Sequence, residues 1–131
     1  QLVGFLKGWW PHRHAANVLF LHFSDMKKDH AGTVKRVADF MGVELDDEET
    51  KRVLEYTSFP YMKTHASKYD AAGSFTMPPL EPGSLVRKGK TGATKEDGIT
   101  DEMKAEIEQI FKEALEPAVA DWFFRGGALP N

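Results

Sequence analysis

Between Leu85 and Lys95 the chain reads LVRKGKTGATK, with four cations (Arg87, Lys88, Lys90, Lys95), glycines at 89 and 92, and no acid. These residue types suit an anion. Glycines let backbone N–H groups approach a ligand closely, and a guanidinium offers a planar fork that matches phosphate oxygens. By spacing alone, a solvated cationic loop is the simpler reading, and the Gly-Lys-Ser/Thr ending of a P-loop is absent. A second stretch, Thr57, Ser58 and Phe59, places hydroxyls at a helix start beside a ring that could stack on a base. Standing alone, it is an ordinary N-cap.

Other reactive types are scattered. His12 and His14 follow the tryptophan pair without a carboxylate or a third ligand nearby, so no metal site is expected. His22 reads as a hydrogen-bonded residue at the core edge, and His30 and His65 as surface residues. The acidic run ELDDEE is a capped, solvated helix start. No Ser/His/Asp arrangement can be argued, and no catalytic residue is assigned.

Composition narrows the field further. The chain has 131 residues, 41% of them apolar and 28% charged, which suits one globular domain. A net charge of −3 gives no global attraction to nucleic acid or to an anionic membrane, so any anion site must be local. With no cysteine, disulfides, thiolate zinc sites and a cysteine nucleophile are excluded, and a reducing cytoplasm is the expected location. No apolar run approaches the roughly 20 residues that cross a bilayer.

These residues must be held by local elements. LVGFLKGWW reads as the closing turns of an amphipathic helix stopped by Pro11. Natural chains rarely begin inside an element, so the sequence is expected to be a piece of something longer. Asn17 to Phe23, NVLFLHF, is nearly continuous apolar sequence and predicts one clear buried strand, covered on both faces as in a parallel sheet. No second strand of like quality follows. A helix is predicted from about Ala31 to Met41, closed by Gly42 in a left-handed C-cap. Asp46 and Glu49 form a capping-box pattern opening a helix through about Tyr56. Thr57 or Ser58 caps a short helix that tolerates Pro60 in its first turn. Positions 70–84 read as an irregular loop and 126–131 as a loose tail. Thr100 caps a helix with Met103, Ile107, Ile110, Phe111, Ala114 and Leu115 at helical spacing; Pro117 breaks or kinks it before a final helical segment.

Taken in order, these pieces resemble the C-terminal half of the cytosolic sulfotransferases. The likeness begins at GWW, runs through NVLFLHFSDMKKD and RVADFMGVELDDEETKRVLEYTSFPYMK, and ends in RKGKTGATK, spanning roughly positions 7 to 100. The family's Tyr-Glu-Asp-Met-Lys stands here as Phe23, Ser24, Asp25, Met26 and Lys27. Its Thr-Ser-Phe with Met-Lys following is intact, as is Arg-Lys-Gly-x-x-Gly-x-x-Lys.

The resemblance implies an α/β parent fold, a P-loop-like parallel sheet flanked by helices, of which residues 1–131 form the C-terminal portion and are mostly helical. It implies the cofactor 3′-phosphoadenosine 5′-phosphosulfate, or its product 3′-phosphoadenosine 5′-phosphate. Arg87, Lys88 and Gly89 would hold the 3′-phosphate; Thr57, Ser58 and Phe59 would line the adenine pocket, with Met62 behind them and Phe23 facing the base. Phe23 replaces the family's tyrosine, so it can stack but cannot donate a hydrogen bond. Gly92, Ala93, Thr94 and Lys95 replace Gly-Asp-Trp-Lys, removing an aromatic side chain. The family's dimer motif is not kept around Lys95 to Glu102. Its phosphosulfate loop, its catalytic histidine, and the Arg and Ser that complete the 3′-phosphate site do not occur. The expectation is therefore part of an enzyme that transfers a sulfuryl group to an acceptor hydroxyl or amine, inactive by itself, with a missing N-terminal half or a second copy as partner. The alternative is a non-catalytic helical interaction module that uses Trp9, Trp10 and the strand edge. The acceptor is not legible.

Overall fold

Leu6 and Trp10 lie one helical turn apart, and a helix buries both while leaving the charged and small residues outward. In the computed structural model this helix, α1, spans Leu2–Trp9 and tightens into a 3-10 turn at Trp10–His12 that carries Pro11. The structure describes residues 1–69, 86, 89 and 96–131. The expected loop at 70–84, the cations Arg87 and Lys88, and the Gly92 to Lys95 segment lie outside the described residues.

The described helices that follow are α2 (Phe23–Lys28), α3 (His30–Met41), α4 (Asp47–Tyr56), α5 (Phe59–Thr64), α6 (Asp101–Ala114) and α7 (Pro117–Arg125), with a second 3-10 turn at Ala66–Lys68. The chain divides into two units. Residues 1–43 and 92–131 form the first, and residues 44–91 the second.

Local signals explain most helix ends. The Asp29 carboxylate accepts the Gly32 N–H at 2.8 Å and opens α3. At its other end Gly42 takes φ 68°. Its N–H reaches the Asp39 carbonyl and that of Val43 the Ala38 carbonyl, a Schellman pair that needs a residue tolerant of the left-handed region. Asp46 and Glu49 exchange side-chain and backbone bonds at 2.8 and 3.0 Å, the full capping box. Thr100 accepts the Met103 N–H at 3.2 Å at the start of α6. There the Glu102 carboxyl is held below its ordinary value, chiefly by its own backbone N–H and then by the Thr100 hydroxyl. Pro117 separates α6 from α7 as the first-turn residue of the latter, where its missing N–H costs nothing.

The core of the first unit is aromatic. Leu6, Trp10, Phe111, Leu115, Val119, Ala120 and Trp122 are buried together, with Phe20, Phe123 and Leu129 packed against them. Trp10, Phe20 and Trp122 meet pairwise with ring centroids 5.4 to 5.8 Å apart. Such pairs contribute about 0.5–1.5 kcal/mol each beyond their area burial. Trp9 is 47% exposed, and Leu2 and Phe5 on the same helix are more exposed still.

One expectation is corrected. No strand occurs among the described residues, and the one expected at Asn17 to Phe23 is neither laddered nor buried. Residues 18–22 are half-buried, and Phe23 already belongs to α2. A strand exists only through a neighbour that takes its N–H and C=O groups, and no described segment does so. Instead Arg36 donates to the Phe20 carbonyl at 3.4 Å. His22 faces two ways: its Nε2 donates to the Phe123 carbonyl at 2.9 Å, and its Nδ1 accepts the Ser24 N–H at 3.3 Å. Residues 126–131 are irregular and are hydrogen-bonded to the rest of the first unit. The Gly127 N–H donates to Asp25 at 2.6 Å, Trp122 Nε1 donates to the Gly127 carbonyl at 3.2 Å, and Arg13 Nε and His14 Nε2 donate to the Pro130 carbonyl.

Gly126 is the tightest point of that attachment. Its φ of 73° with ψ −151° is a conformation that side chains avoid, and an added Cβ would stand 2.6 Å from Asp25 Oδ2 and 2.7 Å from His22 Nδ1. Gly126→Ala is expected to destabilise the chain by about 2 kcal/mol. Denaturant unfolding measures this, and an unchanged midpoint would show that the tail attachment is dispensable.

Candidate functional site

The second unit brings most of the candidate residues to one helix junction. α4 ends in Thr57, whose N–H and hydroxyl both donate to the Val53 carbonyl, at 2.9 and 2.7 Å. Thr57 therefore closes α4, and Ser58 alone caps α5. Ser58 is extended, with φ −75° and ψ 147°, and its Oγ accepts the Tyr61 N–H at 3.3 Å. The Met62 N–H donates to the Ser58 carbonyl at 3.0 Å, so Met62 sits one turn into α5, half-buried. Pro60 fits the first turn and fixes the backbone angle there.

An aromatic column stiffens this junction. Tyr56 at the end of α4 lies 4.9 Å from the Tyr61 ring, which stacks on His65 at 4.0 Å and 25°. His65 Nδ1 also donates to the Tyr61 carbonyl at 2.8 Å.

Phe59 opens α5 and is half-buried, and its ring faces Gly89. This contact explains the glycine twice over. Its φ is 59°, in the left-handed region, and an added Cβ would overlap the ring at Cγ, Cδ2 and Cε2. Three residues earlier, Val86 is 8% exposed and is the one buried residue among those described in this unit. Its carbonyl accepts a hydrogen bond from Lys63 Nζ at 2.7 Å. Both described residues that flank Arg87 and Lys88 are thus attached to α5.

Thr57, Ser58, Phe59, Met62 and Gly89 lie together in the second unit. Phe23 belongs to the first, where it opens α2 and is 57% exposed. Arg87 and Lys88 lie outside the described residues. Lys63 was legible only as the residue after Met62; no local pattern reports a bond that spans 23 positions. Among the described residues no group of three or more His, Cys, Asp or Glu could hold a metal ion, and no helix is long and apolar enough to cross a membrane.

Comparison with known proteins gives this junction a context. The sulfotransferase domain family matches residues 3–118, and the chain belongs to that family. It is 33% identical over 112 residues to rat (Rattus norvegicus) sulfotransferase 2A6, covering 84% of this chain and 38% of that protein. Over 114 residues it is 33% identical to the 3-alpha-hydroxysteroid sulfotransferase of Cavia porcellus, with the same coverage. Among solved structures, mouse sulfotransferase SULT7A1 complexed with PAP superposes with a TM-score of 0.73 at 25% identity, over 93% of this chain and 44% of the other. Retinol dehydratase in complex with androsterone and inactive cofactor PAP gives 0.67 at 31% identity, over 88% and 33%. The chain therefore spans less than half the length of the relatives it matches, and the fold it shares is that of sulfotransferases.

The Phe59–Gly89 contact makes a local prediction. Gly89→Ala should displace the ring and shift the side-chain resonances of Phe59 and Met62, while those of Trp122 in the other unit stay unchanged. Two-dimensional NMR reads this directly. Unmoved Phe59 signals would mean that the ring does not face residue 89.

Proposed function

We propose that this chain supplies one side of the nucleotide pocket of a sulfotransferase, for 3′-phosphoadenosine 5′-phosphosulfate and 3′-phosphoadenosine 5′-phosphate. The observation that carries the reading is the attachment of Gly89 and Val86 to α5, because it ties the flanks of the basic turn to the helix that Ser58 caps and Phe59 opens. The donor set fits the nucleotide. Arg87 and Lys88 offer charge-assisted bonds to a phosphate, and a guanidinium can bind two of its oxygens at once. Gly89 lets a backbone N–H approach where a side chain would intrude. Phe59 and Met62 offer an apolar wall, and Thr57 and Ser58 polar groups, to an adenine ring.

When bound, the phosphosulfate supplies the sulfuryl group that passes to an acceptor hydroxyl or amine. This chain's part is to bind and orient the nucleotide. Transfer also needs a base for the acceptor and cations around the transferring group, and no residue here is assigned either task. Alone, the chain is inactive. The complete protein acts in the cytoplasm, on a small-molecule acceptor, without nucleic acid or membrane. The relatives' names include a steroid sulfotransferase, and one neighbouring structure holds androsterone, which supports a small apolar alcohol as acceptor.

A second reading has its own support. Leu2 and Phe5 on α1 are 64% and 67% exposed, and Ile110 on α6 is 52% exposed. Such apolar faces favour a chain that works against further protein, either the rest of a sulfotransferase domain or a second copy.

The nucleotide reading is tested by titrating the full-length protein with 3′-phosphoadenosine 5′-phosphate and, separately, with 5′-AMP. The bisphosphate should bind at least about tenfold more tightly, and Arg87→Ala should remove most of that difference. Equal affinities in the unaltered protein, or an unchanged ratio in the variant, would contradict the assignment.

A further inference from the structure

We infer that Lys63 is a positioning residue for nucleotide binding, acting through the backbone of Val86 rather than by touching the ligand; this rests on the nucleotide reading above. Lys63 stands near the end of α5, and its Nζ donates to the Val86 carbonyl at 2.7 Å. That carbonyl belongs to the peptide unit whose nitrogen is the backbone nitrogen of Arg87. Because a peptide unit is planar, fixing its oxygen also fixes the direction in which residue 87 leaves Val86. The Val86 side chain is buried, so this peptide is held on both sides.

Gly89 provides the second anchor. Its backbone lies against Phe59, the first residue of the same helix, in a conformation that most residues avoid. Phe59 and Lys63 are four positions apart on α5 and therefore lie on one face of it. One helix face thus holds position 86 by a charge-assisted hydrogen bond and position 89 by a ring contact. Ser58, which caps that helix, moves with the same body. Positions 86 and 89 and the cap are thus tied to one short helix, which favours a fixed separation between a phosphate contact and an adenine contact without ligand. Pre-set spacing of this kind matters most for a ligand that must reach both ends at once.

An ammonium suits the task. It is a strong donor to a carbonyl, and its flexible stem spans the gap from the helix. Losing it should leave each contact chemically intact but free to drift. The expected signature is loss of discrimination, with little change in the affinity for the part of the nucleotide that the cap alone recognises.

The test is calorimetric titration of the full-length protein and of Lys63→Met with 3′-phosphoadenosine 5′-phosphate and with 5′-AMP, alongside thermal unfolding. Lys63→Met should lower the ratio of the two affinities by about tenfold, chiefly by weakening the bisphosphate, with 5′-AMP binding nearly unchanged. Lys63→Arg, which keeps a cationic donor, should recover most of the ratio and serves if the methionine variant does not fold. If Lys63→Met, or Lys63→Arg in its place, behaves otherwise, the inference fails: an unchanged ratio in the methionine variant, or equal weakening of both ligands, shows a purely structural lysine. If the unaltered protein does not discriminate between the nucleotides, the underlying nucleotide reading fails first, and this inference with it.

Discussion

The account depends on the contact between Phe59 and Gly89, because it joins two segments, distant in sequence, that chemistry would need together. A cationic turn remote from any pocket wall is only a solvated loop. With Gly89 against an aromatic ring at the head of a capped helix, the segment becomes a candidate edge of a site. Steric exclusion sets the terms of that contact. A residue with a Cβ at position 89 would meet both an unfavourable backbone region and the atoms of the ring. The Lys63 bond to Val86 attaches a second described position of this segment to α5. Among the described residues of this unit Val86 alone is buried.

The two units are stabilised differently. In the first, tryptophan and phenylalanine rings from the 3-10 turn after α1, from α7 and from the segment before α2 interlock, and the C-terminal residues are tied back through Asp25, Trp122 and Arg13. In the second, hydrogen-bonded caps and the Tyr56–Tyr61–His65 column hold two short helices at their junction. Isolated helices as short as α5 are marginal, so its persistence must come from such tertiary ties. The candidate site, as far as its residues are described, therefore depends on specific contacts.

What could be read from sequence follows the range of the interaction. Caps act over three or four residues, so Gly42, the Asp46–Glu49 box, Thr100 and Pro117 announced their helix ends locally. The strand at Asn17 to Phe23 was misread because apolar β-formers specify a compatible segment, not the neighbour that would complete a ladder. The hydrogen bonds of residues 126–131 were not legible for the same reason: their partners Asp25 and Arg13 lie more than a hundred positions away. At the site, a glycine between cations was visible at once, but the ring that requires it was not. Thr57 shows the same limit on a small scale. Its type allowed it to cap α5, yet its hydroxyl turns back to Val53. The ordered set of motifs carried further than any single one, and the family match over residues 3–118 agrees with it.

The most direct measurement is a nuclear Overhauser experiment on the isotope-labelled protein, without ligand, between the Phe59 ring protons and the Gly89 α-protons. The account predicts strong cross-peaks, since the ring lies against that backbone. Their absence, with both residues assigned and the helix at 59–64 intact, would contradict it, because the cationic turn would then have no demonstrated seat on the helix that carries Ser58.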